Sequence, residues 1–212
     1  MTPIIKVAVL GGTGKAGKYL VKQLIQQNFQ IKLLHRKPET LTINNPLIQV
    51  VQGDARDYIA IRNLLQGCNA VLSCLSQPVG ERTIFSDATR NILKAMAAHN
   101  ISRYITTAGL NVDTPIDAKS ATTLFGTNWM KQNYPETTAD RQLEYELLVA
   151  SNIDWTMVRL PLIGQTDDTG EIVVSLQDCP SGNISATDLA LFMIAQLSSD
   201  EYVKQAPFIG NV

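Results

Sequence analysis

Gly11, Gly14 and Gly17 stand three residues apart in the run Gly-Gly-Thr-Gly-Lys-Ala-Gly, directly behind an apolar, β-branched stretch at residues 4–10. A buried strand that runs into such a turn and then a helix is the arrangement on which a dinucleotide pyrophosphate rests. Gly11 permits the tight turn, Gly14 lets backbone N–H groups approach the pyrophosphate, and Gly17 lets the helix sit close to the sheet. After the glycines, Tyr19, Leu20, Leu24 and Ile25 recur at helical spacing as far as Asn28, and residues 31–34 restart a strand. The first 35 residues therefore read as a β-α-β unit.

The same rhythm continues along the chain. Strands are predicted at residues 48–51, 70–75, 104–107 and 155–160, and helices at 58–65, 84–99, 140–150 and 187–197. Ser185 or Thr187 would cap the last helix. Alternating strands and helices imply an α/β fold: a Rossmann-like, doubly wound, mainly parallel sheet with helices on both faces and a small C-terminal region on the substrate side. Between residues 111 and 138 the period is lost, and the stretch reads as a long, lid-like loop with one helical turn at most. An irregular excursion is expected at residues 164–178. Trp155 opens an apolar strand and is predicted to be buried.

Charge and composition remove several function classes. In 212 residues, 18 Lys+Arg against 19 Asp+Glu leave a formal charge of -1, with no basic field for nucleic acid. The apolar stretches fall far short of the roughly 20 residues that span a bilayer, and the N-terminus lacks the order of a signal peptide. A cytoplasmic protein with no membrane partner is the expectation. Cys68, Cys74 and Cys179 form no CxxC pair and read as reduced thiols, and His35 and His99 are too scattered for a metal site.

Cofactor choice is legible at the end of the second strand, where an acidic residue would accept from a ribose hydroxyl and a basic one would pair with a 2′-phosphate. The residues there are His35, Arg36 and Lys37, so NADP(H) is predicted, with Arg36 as the phosphate fork and Thr13 and Lys15 assisting. Asp54, in Gln52-Gly53-Asp54-Ala55, is placed to accept from the adenine amino group.

These segments, with Thr106-Thr107-Ala108-Gly109 and Asp154-Trp155-Thr156-Met157-Val158-Arg159, resemble the atypical short-chain dehydrogenases/reductases of the NmrA-like, NAD(P)H-binding group. The C-terminal third, from Arg159-Leu160-Pro161-Leu162-Ile163-Gly164 through Ile184-Ser185-Ala186-Thr187-Asp188-Leu189-Ala190, is similar to the flavin reductase/biliverdin-IXβ reductase branch. The resemblance implies a single NAD(P)-binding domain over residues 1–212. It further implies that Leu75 and Ser76 flank the cofactor, that Thr107 holds the catalytic hydroxyl position, and that Pro161, Leu162 and Ile163 lie beside the nicotinamide.

Two departures from the family pattern bear on the reaction. The Tyr-x-x-x-Lys pair that supplies a proton in the wider superfamily is replaced by Thr137 and Arg141, which disfavours alcohol–ketone interconversion. Leu162 stands where the biliverdin branch has His. A pocket lined by Leu75, Thr107, Leu110, Asn111, Leu162 and Trp129 suits hydride transfer to a flavin, a quinone or a similar conjugated acceptor, which needs little acid–base help. The alternative from another class is an NmrA-like, NADP-sensing regulator that works through a protein partner without catalysis.

Overall fold

Val7 and Val9 point to one face of the first strand and Ala8 and Leu10 to the other, yet all four are fully buried, so both faces of the sheet must be covered. The computed structural model describes residues 6–77 and 80–212. Its strands are β1 (Lys6–Leu10), β2 (Gln30–His35), β3 (Ile48–Gln52), β4 (Ala70–Ser73), β5 (Arg103–Gly109), β6 (Asp154–Leu160), β7 (Leu162–Gly164), β8 (Ile172–Ser175), β9 (Asn183–Ser185) and β10 (Phe208–Asn211). The helices are α1 (Gly17–Gln26), α2 (Tyr58–Leu65), α3 (Phe85–His99), α4 (Ala121–Asn133), α5 (Pro135–Val149) and α6 (Ala186–Ala195).

The main sheet has the order β3-β2-β1-β4-β5-β6-β10-β8, parallel throughout except where β8 pairs antiparallel with β10. One apolar layer joins Leu64, Phe85, Ile92 and Leu148 from α2, α3 and α5; the other joins Leu20, Leu24, Leu189 and Met193 from α1 and α6. This is the Rossmann-like α/β architecture, with β7 and β9 forming a small second sheet near the C-terminal end. Of the strand expected at residues 4–10, Lys6–Leu10 is observed; Ile4 and Ile5 lie outside the described residues.

Three expectations need correction. The lid-like loop at residues 111–138 is mostly helical, because Ser120 caps α4 by accepting from the Thr123 N–H, and Pro135 starts α5 instead of breaking it. The apolar period was missing because α4 buries Thr123 and Thr127 while Leu124, Phe125 and Trp129 face outward. The stretch 164–178 holds the strand β8, and β10 forms from residues that carry no apolar alternation. The fourth strand ends at Ser73, so Leu75 and Ser76 belong to the turn beyond it.

Buried charges fix the segments around the C-terminal strand ends. Arg159 on β6 has no exposed surface and stacks on Phe208, its guanidinium carbon 3.5 Å from the ring centroid. Its Nη1 donates to both carboxylate oxygens of Asp117 at 2.7 and 2.9 Å, while Nε donates to the Ala206 carbonyl. Lys119 donates to the carbonyls of Leu110 and Val112, pinning the chain that leaves β5. Trp155 is buried and meets Tyr145 edge-on, as the strand pattern predicts.

Candidate cofactor-binding site

At the C-terminal ends of β1, β2, β3 and β4 the chain opens into a cleft of about 620 Å³. Beyond β1 it is lined by Gly11, Thr13 and Gly14, beyond β2 by His35, Arg36 and Lys37, beyond β3 by Gly53, Asp54 and Ala55, and beyond β4 by Leu75, Ser76 and Glu81. A ligand position outside the carboxyl ends of parallel strands is where this architecture binds.

The glycine turn is sterically specified. Gly11 has φ +72°, and a Cβ there would lie 2.5 Å from the Cys74 carbonyl oxygen. At Gly17 a Cβ would lie 2.0 Å from the Gly11 carbonyl oxygen, so the first turn of α1 packs directly on the loop. Helix α1 begins after Ala16 with no side-chain cap and no acidic residue in its first turn, whereas Asp57, Ser120 and Ser185 cap α2, α4 and α6. Asp140 caps α3 from α5, accepting from the N–H groups of Phe85 and Ser86. A helix start with no side-chain cap, beside a turn that admits no Cβ at Gly11 or Gly17, fits a pyrophosphate.

The anion-binding wall carries its own ion pairs. Arg36 Nη1 donates to Glu81 Oε1 at 2.7 Å, and this bond raises the Arg36 pKa above its ordinary value while lowering that of Glu81. Asp54 accepts from the Arg56 N–H at 2.8 Å and lies 3.6 Å from its guanidinium. Lys15 is exposed and does not line the cleft, and Gly17 contributes through close packing alone.

The residues expected near the nicotinamide divide differently. Thr107 is buried near the end of β5, outside the cleft lining. Pro161 follows β6, and Leu162 and Ile163 on β7 are 81% and 36% exposed. Leu110 is half-buried. Asn111 is buried, donates to Thr138 Oγ1 at 3.1 Å, and lines a second hollow with Asp113, Lys131 and Gln142. Trp129, expected in a lid pocket, is half-exposed on α4, contacts Tyr134 edge-on and lines neither of these two hollows.

Arg141 is almost completely buried. Its Nη1 donates to Glu144 Oε2 at 2.6 Å, its Nη2 donates to the Leu75 carbonyl at 2.8 Å, and its guanidinium carbon lies 3.3 Å from the Phe85 ring centroid. Glu144 also accepts from the Thr89 and Thr106 hydroxyls. Burial pushes the Glu144 carboxyl up against the opposing pull of Arg141. Burial likewise pushes the neighbouring Tyr104 phenol and the Cys74 thiol up to about 12. With pKa values this high, neither Tyr104 nor Cys74 is a proton donor poised for neutral pH.

Sequence reasoning missed Glu81, Arg56 and the Glu144 network. Glu81 arrives from the loop between β4 and α3, where no strand-end rule applies. Glu144 lies on a helix whose apolar stripe is interrupted by buried polar residues.

Among proteins of known activity, the chain is 24% identical over 201 residues to the (4-alkanoyl-5-oxo-2,5-dihydrofuran-3-yl)methyl phosphate reductase of Streptomyces griseus, covering 91% of this chain and 63% of that protein. The chain spans less than two thirds of the length of the curated relatives it matches. A short-chain dehydrogenase/reductase structure from Veillonella parvula superposes with TM-score 0.80 at 17% identity, covering 99% of this chain and 95% of the other. A second V. parvula structure of that class, in complex with NADP, superposes with TM-score 0.77 at 16% identity over 99% and 95% of the two chains. Residues 11–200 match the model of the NAD(P)H-binding family. The chain belongs to that NAD(P)H-binding family, as its resemblance to the NmrA-like, atypical short-chain dehydrogenases/reductases implies.

Proposed function

We propose that this chain is an NADPH-dependent reductase that delivers hydride to a flavin, a quinone or a similar conjugated acceptor, with Arg36 selecting NADP(H) over NAD(H). The observation that carries the reading is the engagement of Arg141 with Glu144, Phe85 and the Leu75 carbonyl. A cation held in this way does not acidify a phenol, and Thr137 supplies none. An acceptor that stabilises negative charge itself and takes its proton from water needs no such pair.

When bound, the nicotinamide supplies the hydride. The chain's own part is to bind, orient and shield. In this reading the glycine turn holds the pyrophosphate, Arg36 the 2′-phosphate and Asp54 the adenine end, while Leu75 and Ser76 flank the cofactor. Arg141 keeps the Leu75 turn in place. Thr107 supplies a hydroxyl near the reacting atoms, and the exposed Leu162 and Ile163 with Pro161 offer an apolar surface to a flat acceptor. The reductase activity in the name of the S. griseus relative and the NADP in the V. parvula complex support the reading. The free thiols Cys68, Cys74 and Cys179 fit the cytoplasmic setting it assumes.

The test is anaerobic stopped-flow absorbance with NADPH and excess FMN, riboflavin or a quinone, against a protein-free control. Protein-dependent, saturable oxidation of NADPH is expected. Binding without oxidation across the panel would overturn the reductase reading in favour of an NADP-sensing regulator with a protein partner.

A further inference from the structure

The basic wall of the cleft already holds an anion. Glu81 presents both carboxylate oxygens to arginines from two different strand ends: Oε1 accepts from Arg36 Nη1 at 2.7 Å, and Oε2 accepts from Arg56 Nη1 at 3.4 Å. Arg56 is itself oriented, since its Nη2 donates to the Arg82 carbonyl at 2.5 Å and its Nη1 lies 3.6 Å from Asp54 Oδ2. The Arg56 side chain is 23% exposed, against 54% for Arg36 and 40% for Glu81, so it is the better fixed of the two arginines.

Guanidinium forks receive carboxylates and phosphates by the same geometry, with N–H donors directed at two oxygens. Arg36 and Glu81 line the cleft, and Arg56, which does not, meets them through the Glu81 carboxylate; that carboxylate occupies guanidinium donors that an incoming phosphate would use. Gln77 Nε2 donates to the Glu81 carbonyl at 2.7 Å, which ties the residue to the turn that carries Leu75 and Ser76 on the same cleft wall. Glu81 is thus positioned by the cleft itself.

We propose that Glu81 is a built-in competitor for the 2′-phosphate subsite, and that Arg56 is the second arginine of that subsite beside Arg36. The inference rests on the NADP(H) reading above and adds its regulation. A dinucleotide bearing a 2′-phosphate binds by exchanging the Glu81 carboxylate for its own oxygens. A dinucleotide that ends in a free ribose hydroxyl leaves the Glu81 bridge in place. Glu81 consequently narrows the preference for NADP(H) that two unopposed arginines would give. Ion pairs between partly exposed groups are weak, so the competition costs the phosphate ligand a modest factor and does not close the site.

The experiment is calorimetric titration of the full chain with NADPH, NADH, adenosine 2′,5′-bisphosphate and 5′-AMP, in the wild type, E81Q, R56Q, R36Q and the R36Q/E81Q double variant. Relative to wild type, E81Q is expected to bind NADPH and the bisphosphate roughly three- to tenfold more tightly, with NADH and 5′-AMP unchanged. R56Q should weaken the two ligands that carry a 2′-phosphate by a similar factor and leave the other two alone. The gain from Glu81→Gln should be smaller on the Arg36→Gln background, because only Arg56 is then left for Glu81 to withhold.

Unchanged NADPH affinity in E81Q would overturn the proposal, and so would a loss of NADH affinity, which would make Glu81 an acceptor for ribose hydroxyls. An R56Q that binds all four ligands as the wild type does would remove Arg56 from the subsite. If the wild type binds NADH but neither ligand with a 2′-phosphate, the NADP(H) reading fails and the inference falls with it. If both ligands with a 2′-phosphate bind and only the Glu81 substitution is silent, the inference fails alone.

Discussion

Arg141 Nη1 and Glu144 Oε2 are 2.6 Å apart on adjacent turns of α5, with 9% and 3% of their side-chain surfaces exposed. Arg141 also donates through Nη2 to the carbonyl of Leu75, which lines the cleft. Removing one member leaves a buried, uncompensated charge. Glu144→Ala is therefore expected to cost about 3–5 kcal/mol in urea unfolding. Replacing both residues with apolar ones, as in Arg141→Met with Glu144→Leu, should recover most of that loss. A single substitution that costs nothing would refute the buried pair.

Gly17 meets the glycine turn so closely that an alanine Cβ would lie 2.0 Å from the Gly11 carbonyl oxygen and 2.7 Å from the Gly12 Cα. Backbone must move to accept it. Gly17→Ala should weaken NADPH binding by about tenfold or more, because the N–H groups of the turn lose their arrangement. Circular dichroism should show the fold retained, and titration should show the loss. Unchanged affinity would mean that the turn does not hold the pyrophosphate.

Partial burial pushes the Asp113 carboxyl up, but hydrogen bonds and charge from Lys119 and Lys131 outweigh it and leave the pKa below its ordinary value. A carboxyl depressed in the folded state contributes stability that is complete above its unfolded pKa, near about 4, and is lost as pH falls through the folded pKa. Asp113→Asn should therefore flatten the fall in stability below about pH 4. Denaturant midpoints measured from pH 7 to pH 2 would check this. Parallel curves for the two proteins would contradict it.

Thr107 is 7% exposed at the last turn of a strand whose neighbours Thr106 and Ala108 are also buried. Thr107→Val keeps the shape and removes the hydroxyl. Oxidation of NADPH by the best acceptor should slow by about tenfold, with little change in NADPH affinity, if the hydroxyl orients the reacting groups. An unchanged rate would make Thr107 a packing residue.

The sequence is most legible where burial and local pattern agree. β1, the glycine turn and α1 can be read because a strand covered on both faces is a continuous apolar run, and because only glycine suits the contacts at residues 11 and 17. Arg36 can be read because it closes a strand that the same logic finds. α4 cannot be read, since its buried positions are Thr123 and Thr127 while Phe125 is 75% exposed, so apolarity and burial disagree. β10 holds Gly210 and Asn211, which look like a turn until β8 pairs beside them. Glu81 and Arg56 meet only through tertiary placement of the segment after β4, and no local spacing records that encounter.

The central claim is that the cleft holds NADP(H) through Arg36, and titration of wild type and Arg36→Glu with NADPH and NADH tests it most directly. Saturable one-to-one binding is expected, with NADPH tighter than NADH in the wild type and that preference lost in Arg36→Glu while NADH affinity is nearly preserved. Equal affinities in the wild type, or equal losses for both dinucleotides on substitution, would contradict it.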